Sequence, residues 1–185
     1  MTRIGLQRER RWFPGLSLLA GLSVALGVAS LPAPATAAIS TALIQEILDG
    51  DEVFIETEKA EVDAIANFRQ TISTQAARAT LLFDNGAAGR LAPNSVVTVG
   101  QCIELEQGSL LAVGPANGCA SGFEVGVEGT VYVLEIDSTG ATQVKVLEGT
   151  VVVKTEQAPE PATDPNAADG ESGGIVVEQG KKLAI

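Results

Sequence analysis

From Thr71 onward the sequence is built of short β-branched runs separated by Gly, Asn, Pro and Asp at intervals of about ten residues. Runs that short cannot wind the turns over which a helix buries one face, whereas in a strand they present alternate side chains to a core. The spacing therefore predicts an all-β domain, an antiparallel sandwich or barrel. Thr80 to Phe83 runs into Asp84-Asn85-Gly86, where Asn-Gly tolerates positive φ at both positions and reverses the chain. Ser95 to Val99, Ile103 to Leu105, Ser109 to Val113 and Phe123 to Val127 follow as short strands, punctuated by Gly108, Gly114-Pro115 and Asn117-Gly118. Gly129 to Ile136 and Thr142 to Leu147 make the clearest hairpin, closed through Asp137-Ser138-Thr139-Gly140, and Glu148-Gly149 turns the chain into Thr150 to Lys154.

Ahead of this pattern Ala38 to Leu48 is predicted as a short helix, with Ser40 or Thr41 as N-cap, Leu43, Ile44, Ile47 and Leu48 at helical spacing, and Asp49-Gly50-Asp51 as its stop. Val53 to Thr57 reads as a short strand, and Ala60 to Ala66 fits either period. Behind the pattern, Gln157 to Gly174 is rich in Pro, Ala, Asp, Glu and Gly without periodicity, which predicts a loop lacking regular structure. Strand character resumes at Ile175-Val176-Val177, and Glu178-Gln179-Gly180 turns into a last short strand that reaches Ile185. The expected organisation is an export signal over 1–37, a helix and short strand over 38–66 leading into the domain, a sandwich over 67–156, the acidic loop over 157–174, and final strands of the same sandwich over 175–185.

Arg3, Arg8, Arg10 and Arg11 precede an apolar, small-residue stretch from Gly15 to Leu31, and Ala35-Thr36-Ala37 supplies an A-x-A cleavage pattern. This predicts a secretory signal cleaved after Ala37; an uncleaved anchor is the alternative, and the one case in which the chain engages a membrane. Arg10-Arg11-Trp12-Phe13 matches only part of a twin-arginine signal. The mature chain would carry 8 bases and 22 acids, a formal charge of −14. Such a chain repels phosphate backbones, which argues against DNA and RNA partners, and the expected location is the periplasm, envelope or exterior.

With no histidine in the chain, Ser-His-Asp and Cys-His nucleophile systems and histidine-based zinc sites are excluded. Cys102 and Cys119 are too few for a four-thiolate zinc site or an iron-sulfur cluster, and lack the C-x-x-C spacing of a redox pair. In an exported chain they are expected to form a disulfide, the alternative being two reduced core thiols. Glu104 and Glu106 share one strand face and are the pair a carboxylate-based glycan hydrolase would use; among so many acids they read as a charged solvent face. Glu160, Asp164, Asp169 and Glu171 do not follow a calcium-loop spacing, and Gly174 to Gly180-Lys181 misses the P-loop pattern. The only tryptophan, Trp12, leaves with the signal, so no tryptophan platform for sugars remains. No enzyme activity, cofactor or metal is expected.

Five segments in order give the region from Phe68 to Lys154 a family likeness: Thr74 through Phe83 (TQAARATLLF), Gly89 through Ser95 (GRLAPNS), Leu105 through Leu111 (LEQGSLL), Val127 through Val133 (VEGTVYV) and Val144 through Val153 (VKVLEGTVVV). Together they resemble the FecR domain, and most of all exported FecR-domain proteins bearing a signal peptide. Val177-Glu178-Gln179-Gly180 looks like the family's last valine-rich strand and turn. Gly129, Thr130, Glu148 and Gly149 are the family-motif positions, lying in the E-G-T triplets 128–130 and 148–150 of this chain, with Glu128 where the family usually has arginine. The resemblance implies a jelly-roll-like antiparallel β-sandwich and does not imply catalysis; the expected function is an exported, non-enzymatic module that binds a protein or glycan partner at the envelope. It also implies, as a second reading, an anchored component of sigma-factor and TonB-receptor signalling. About eleven residues ahead of the apolar stretch are too few for a folded sigma-factor-binding unit.

Overall fold

The computed structural model describes residues 38–127, 129–155 and 174–185, so the expected export signal and nearly all of the expected acidic loop lie outside the described residues. Among the described residues all regular structure is strand. The first strand, β1 (Thr41–Leu48), occupies the segment expected to be helical. The cause of that error is a bulge: the register with its neighbour slips between Ile44 and Glu46, so Ile44 faces Leu81 and Ile47 faces Ala79 on the same inner side. One extra residue turns a spacing of two into a spacing of three, which imitates a helix in the sequence. With a partner strand on each flank, pairing overrides local preference.

The chain continues through β2 (Val53–Ile55), β3 (Glu58–Lys59), β4 (Ile65–Asn67), β5 (Thr71–Thr74), β6 (Arg78–Phe83), β7 (Ala88–Leu91) and β8 (Val96–Thr98). A long strand follows, β9 (Ile103–Gly114), then β10 (Gly118–Ala120), β11 (Phe123–Val127), β12 (Thr130–Ile136), β13 (Thr142–Glu148) and β14 (Thr150–Thr155). The final pair is β15 (Ile175–Glu178) and β16 (Lys182–Ala184). Hydrogen bonding arranges these strands in two linear ladders. One runs β4–β1–β6–β7–β9–β12–β13–β16. The other runs β3–β2–β5–β8–β9–β10–β11–β14–β15. All pairs are antiparallel except β9–β10, so the sheet is mixed and the expectation of a purely antiparallel one is corrected.

The two expected strands Ile103 to Leu105 and Ser109 to Val113 are one strand, and it belongs to both ladders. Its first half pairs with β8 and β10, its second half with β7 and β12. A straight strand from Ile103 to Gly114 would separate its ends by about 36 Å. Yet Gly118, four steps further on and so within about 14 Å of Gly114, lies opposite Ile103. Between these points β9 must bend sharply. Gly108 sits at the change of partners with φ +84°, and a Cβ there would lie 2.4 Å from Ser95 Oγ and 2.6 Å from the Asn94 carbonyl oxygen. Ser95 Oγ holds the bend by accepting from Ser109 N at 2.9 Å.

Inward residues of the two ladders form a single core. Along β12, Thr130, Tyr132, Leu134 and Ile136 are buried while the residues between them are partly exposed. Leu81, Leu91, Leu110 and Val144 come from the same ladder, and Val53, Ile72, Val97, Leu105, Val125 and Val151 from the other. Each such side chain contributes about 1.5 to 3 kcal/mol on burial.

Candidate functional site

Cys102 and Cys119 are joined in a disulfide, with Cα atoms 5.8 Å apart. The bond ties the start of β9 to β10, its parallel neighbour. The link from Gly114 to Gly118 that the bond encloses is held from within the core. Tyr132 is fully buried and its hydroxyl donates to the Ala116 carbonyl at 2.9 Å. Burial alone pushes the Tyr132 hydroxyl far above the ordinary phenol range. Asn117 adds a contact to Glu124 at 3.0 Å and accepts from Val127 N at 3.2 Å.

The E-G-T positions come together at one joint. Gly129 and Gly149 have φ of +58° and +83°, and a Cβ on Gly149 would lie 2.8 Å from Thr130 Cγ2. The Thr130 hydroxyl is buried with no hydrogen-bond partner among the described residues, while Glu148, opposite Val131 across the ladder, is exposed. This is a packed turn linking β12, β13 and β14; Glu128 lies outside the described residues. Glu104 and Glu106 alternate with buried Ile103 and Leu105 and face solvent, Glu106 accepting from Thr98 Oγ1 at 2.7 Å. The acids Glu160, Asp164, Asp169 and Glu171 lie outside the described residues. Among the described residues no cluster of three or more acids or cysteines is placed to hold a metal ion.

One concave feature was not singled out by the sequence. A cleft of about 640 Å³ lies between the ends of the two ladders, bordered by β3 and β4. Ile55, Ala60, Ala64 and Ile65 supply its aliphatic surface, and Glu56, Glu58 and Glu61 its carboxylates. The tight β2–β3 hairpin is fixed by Glu56, at φ +56°, whose backbone N–H donates to the Thr71 carbonyl and whose Oε1 accepts from Thr71 N, both at 2.8 Å. A second turn, closed by Ala64 N to the Glu61 carbonyl at 3.1 Å, carries the chain from β3 into β4. Beyond β4, Gln70 Oε1 accepts from Asn67 N at 2.7 Å, and the Arg69 guanidinium lies 5.6 Å from the Phe68 ring centre.

Charge is concentrated here. Residues 46–63 contain eight acids and one base, Lys59. Three of the acids are paired: Asp49 with Arg78, Asp51 with Lys59 at 2.5 Å, and Glu46 with Arg90 at 3.7 Å. The Lys59 ammonium holds the Asp51 carboxyl below the usual carboxylate range. Glu52, Glu56, Glu58, Glu61 and Asp63 make no ion pair among the described residues. The signal available in the sequence was this charge density, which fixes no geometry by itself. No protein-family model, no curated protein and no solved structure matches the chain.

Proposed function

We propose that the chain is an exported, non-enzymatic binding module of the cell envelope, a FecR-like jelly-roll sandwich that holds a protein or glycan partner. The observation that carries this reading is the cleft between β3 and β4: an open concavity of aliphatic side chains and unpaired carboxylates, where contact area and hydrogen-bonding groups are both available to a partner. The Cys102–Cys119 bond supports export, since disulfides persist in oxidising compartments. The sandwich is supported by two ladders that share one core and are joined through the bend of β9. At the E-G-T joint Gly149 packs on Thr130 at positive φ, which supports a structural role for these positions.

Site-directed photocrosslinking in living cells tests the proposal. A crosslinking residue at Thr57, exposed on the cleft, is expected to trap an adduct, whereas one at Ser138 in the β12–β13 turn is not. Protease or glycosidase sensitivity of the adduct then separates a protein from a glycan. A mature chain found only in the cytoplasm, or no adduct from any cleft position, overturns the reading.

A further inference from the structure

Resting on that reading, we propose that the cleft receives an extended, basic polypeptide segment of another protein, which adds as a strand to the outer edge of β4 and seats lysines or arginines on Glu58 and Glu61. Three independent features converge on this occupant. The first is backbone geometry. Ile44 N donates to the Ala64 carbonyl, so residues 64 and 66 of this segment turn their polar groups toward β1, and Ile65 and Asn67 turn theirs away. Asn67 N is taken by Gln70 Oε1, which leaves the Ile65 N–H and carbonyl on an edge with no paired strand among the described residues. By the same alternation Ala60 N bonds inward to the Val53 carbonyl, and Lys59 presents its backbone to the other side of the cleft.

The second feature is apolar surface. Val62, Ile65 and Phe68, 50%, 55% and 46% exposed, stand within seven consecutive residues along this edge. An incoming strand that alternates aliphatic and basic residues would cover one row of side chains and present the other to the carboxylates. The third is charge: Lys59 is committed to Asp51, so Glu56, Glu58 and Glu61 face the cleft without a counter-ion among the described residues. Complementary charge of this kind steers encounter and sets partner choice.

The test uses the mature chain, isotope-labelled, with a synthetic peptide alternating lysine and valine as probe, alongside a glutamate-valine peptide and a lysine-only peptide. Saturable amide shifts at Lys59, Ile65 and Asn67 are expected with the first alone. Glu58→Lys with Glu61→Lys, both at exposed positions, should weaken binding about tenfold or more and flatten its salt dependence. Ile65→Pro removes the outward N–H together with the isoleucine side chain and should weaken binding while the charges stay in place; far-UV circular dichroism checks the fold of each variant. Equal binding of the lysine-only peptide, shifts that map elsewhere, or wild-type affinity in the charge-reversed variant overturns the proposal. Self-association of the unliganded chain that the charge reversal abolishes would make the occupant a second copy and also overturn it. An envelope adduct at Thr57 that survives Glu58→Lys with Glu61→Lys leaves the binding module standing and removes only the basic strand.

Discussion

Replacing Tyr132 by Phe removes one hydroxyl from the centre of the core and has an effect that can be worked out from its surroundings. The hydroxyl donates to the Ala116 carbonyl at 2.9 Å, and both residues are fully buried. Gly118 packs so tightly that a Cβ there would lie 2.7 Å from the Tyr132 oxygen, so the space left by one oxygen admits no water. The carbonyl is then stranded, which costs about 1 to 3 kcal/mol. Alkaline pH modifies this figure in a defined direction. Burial raises the folded pKa of Tyr132 above the unfolded value near 10, so the unfolded chain loses its proton first. Stability from this group is complete below about pH 10 and falls as pH rises toward the folded pKa. At about pH 11 ionisation favours the unfolded wild type by about 1.4 kcal/mol, a term the Phe variant lacks. The deficit of Tyr132→Phe in urea unfolding should therefore shrink by about that amount between about pH 8 and pH 11. Tyr132 is the only tyrosine, so tyrosinate absorbance reads this residue alone and should rise only as the fold is lost. Titration of the folded protein with a midpoint near 10, or a deficit that does not change with pH, would refute the reasoning.

Cys102→Ala should cost the oxidised protein about 3 kcal/mol, and Cys102→Ala with Cys119→Ala no more than either alone, because one bond is lost in each case; additive losses in denaturant unfolding would contradict this. Gly108→Ala should cost about 3 kcal/mol or more, since the added methyl meets the Asn94 carbonyl at a positive-φ position; a change in melting temperature within error would show that the bend relaxes. Thr130→Val should be neutral or stabilising by up to about 1 kcal/mol, because the hydroxyl it removes has no partner among the described residues; a clear loss in thermal unfolding would contradict this. Asp137 accepts from Thr139 N, Thr139 Oγ1 and Ala141 N at 2.8, 2.6 and 3.1 Å, and these bonds lower its pKa. Its contribution should be complete above about pH 4 and decline as pH falls through the folded pKa, and Asp137→Asn should remove that acid limb from the stability profile.

The β-rich class was legible because alternation and turn residues act locally. Asn85-Gly86 marks the β6–β7 reversal, and the β12–β13 hairpin is bracketed by Asp137 and Gly140. What failed depended on distant partners. The bulge after Ile44 is set by the register with Leu81 and Ala79, so the sequence of β1 alone shows only its altered period. Gly108 reads as a turn, and only the hydrogen bonds of Ser95 and the parallel seat of Gly118 make it a bend within one strand. The cysteine pairing was accessible from compartment and count, but not the parallel strands that bring the thiols together. The cleft was illegible because it lies where two ladder ends diverge, and each end is defined by an unpaired edge rather than by any motif.

Because the four ladder ends meet in two pairs, β3 beside β4 and β15 followed by β16, the chain behaves as a bifunctional monomer in the polymer sense. Joining like ends stops at a pair of molecules, whereas joining unlike ends produces a ring or an open filament, according to whether the rotation closes. The two ends are not equally protected. At one, carboxylates without an ion pair among the described residues repel a second copy; at the other, β15 exposes Ile175 and Val176 by 55% and 60% and carries Glu178 as its own acid. Fibrillar growth of this protein should therefore begin at β15, whose exposed apolar edge strand is the more open template for pairing.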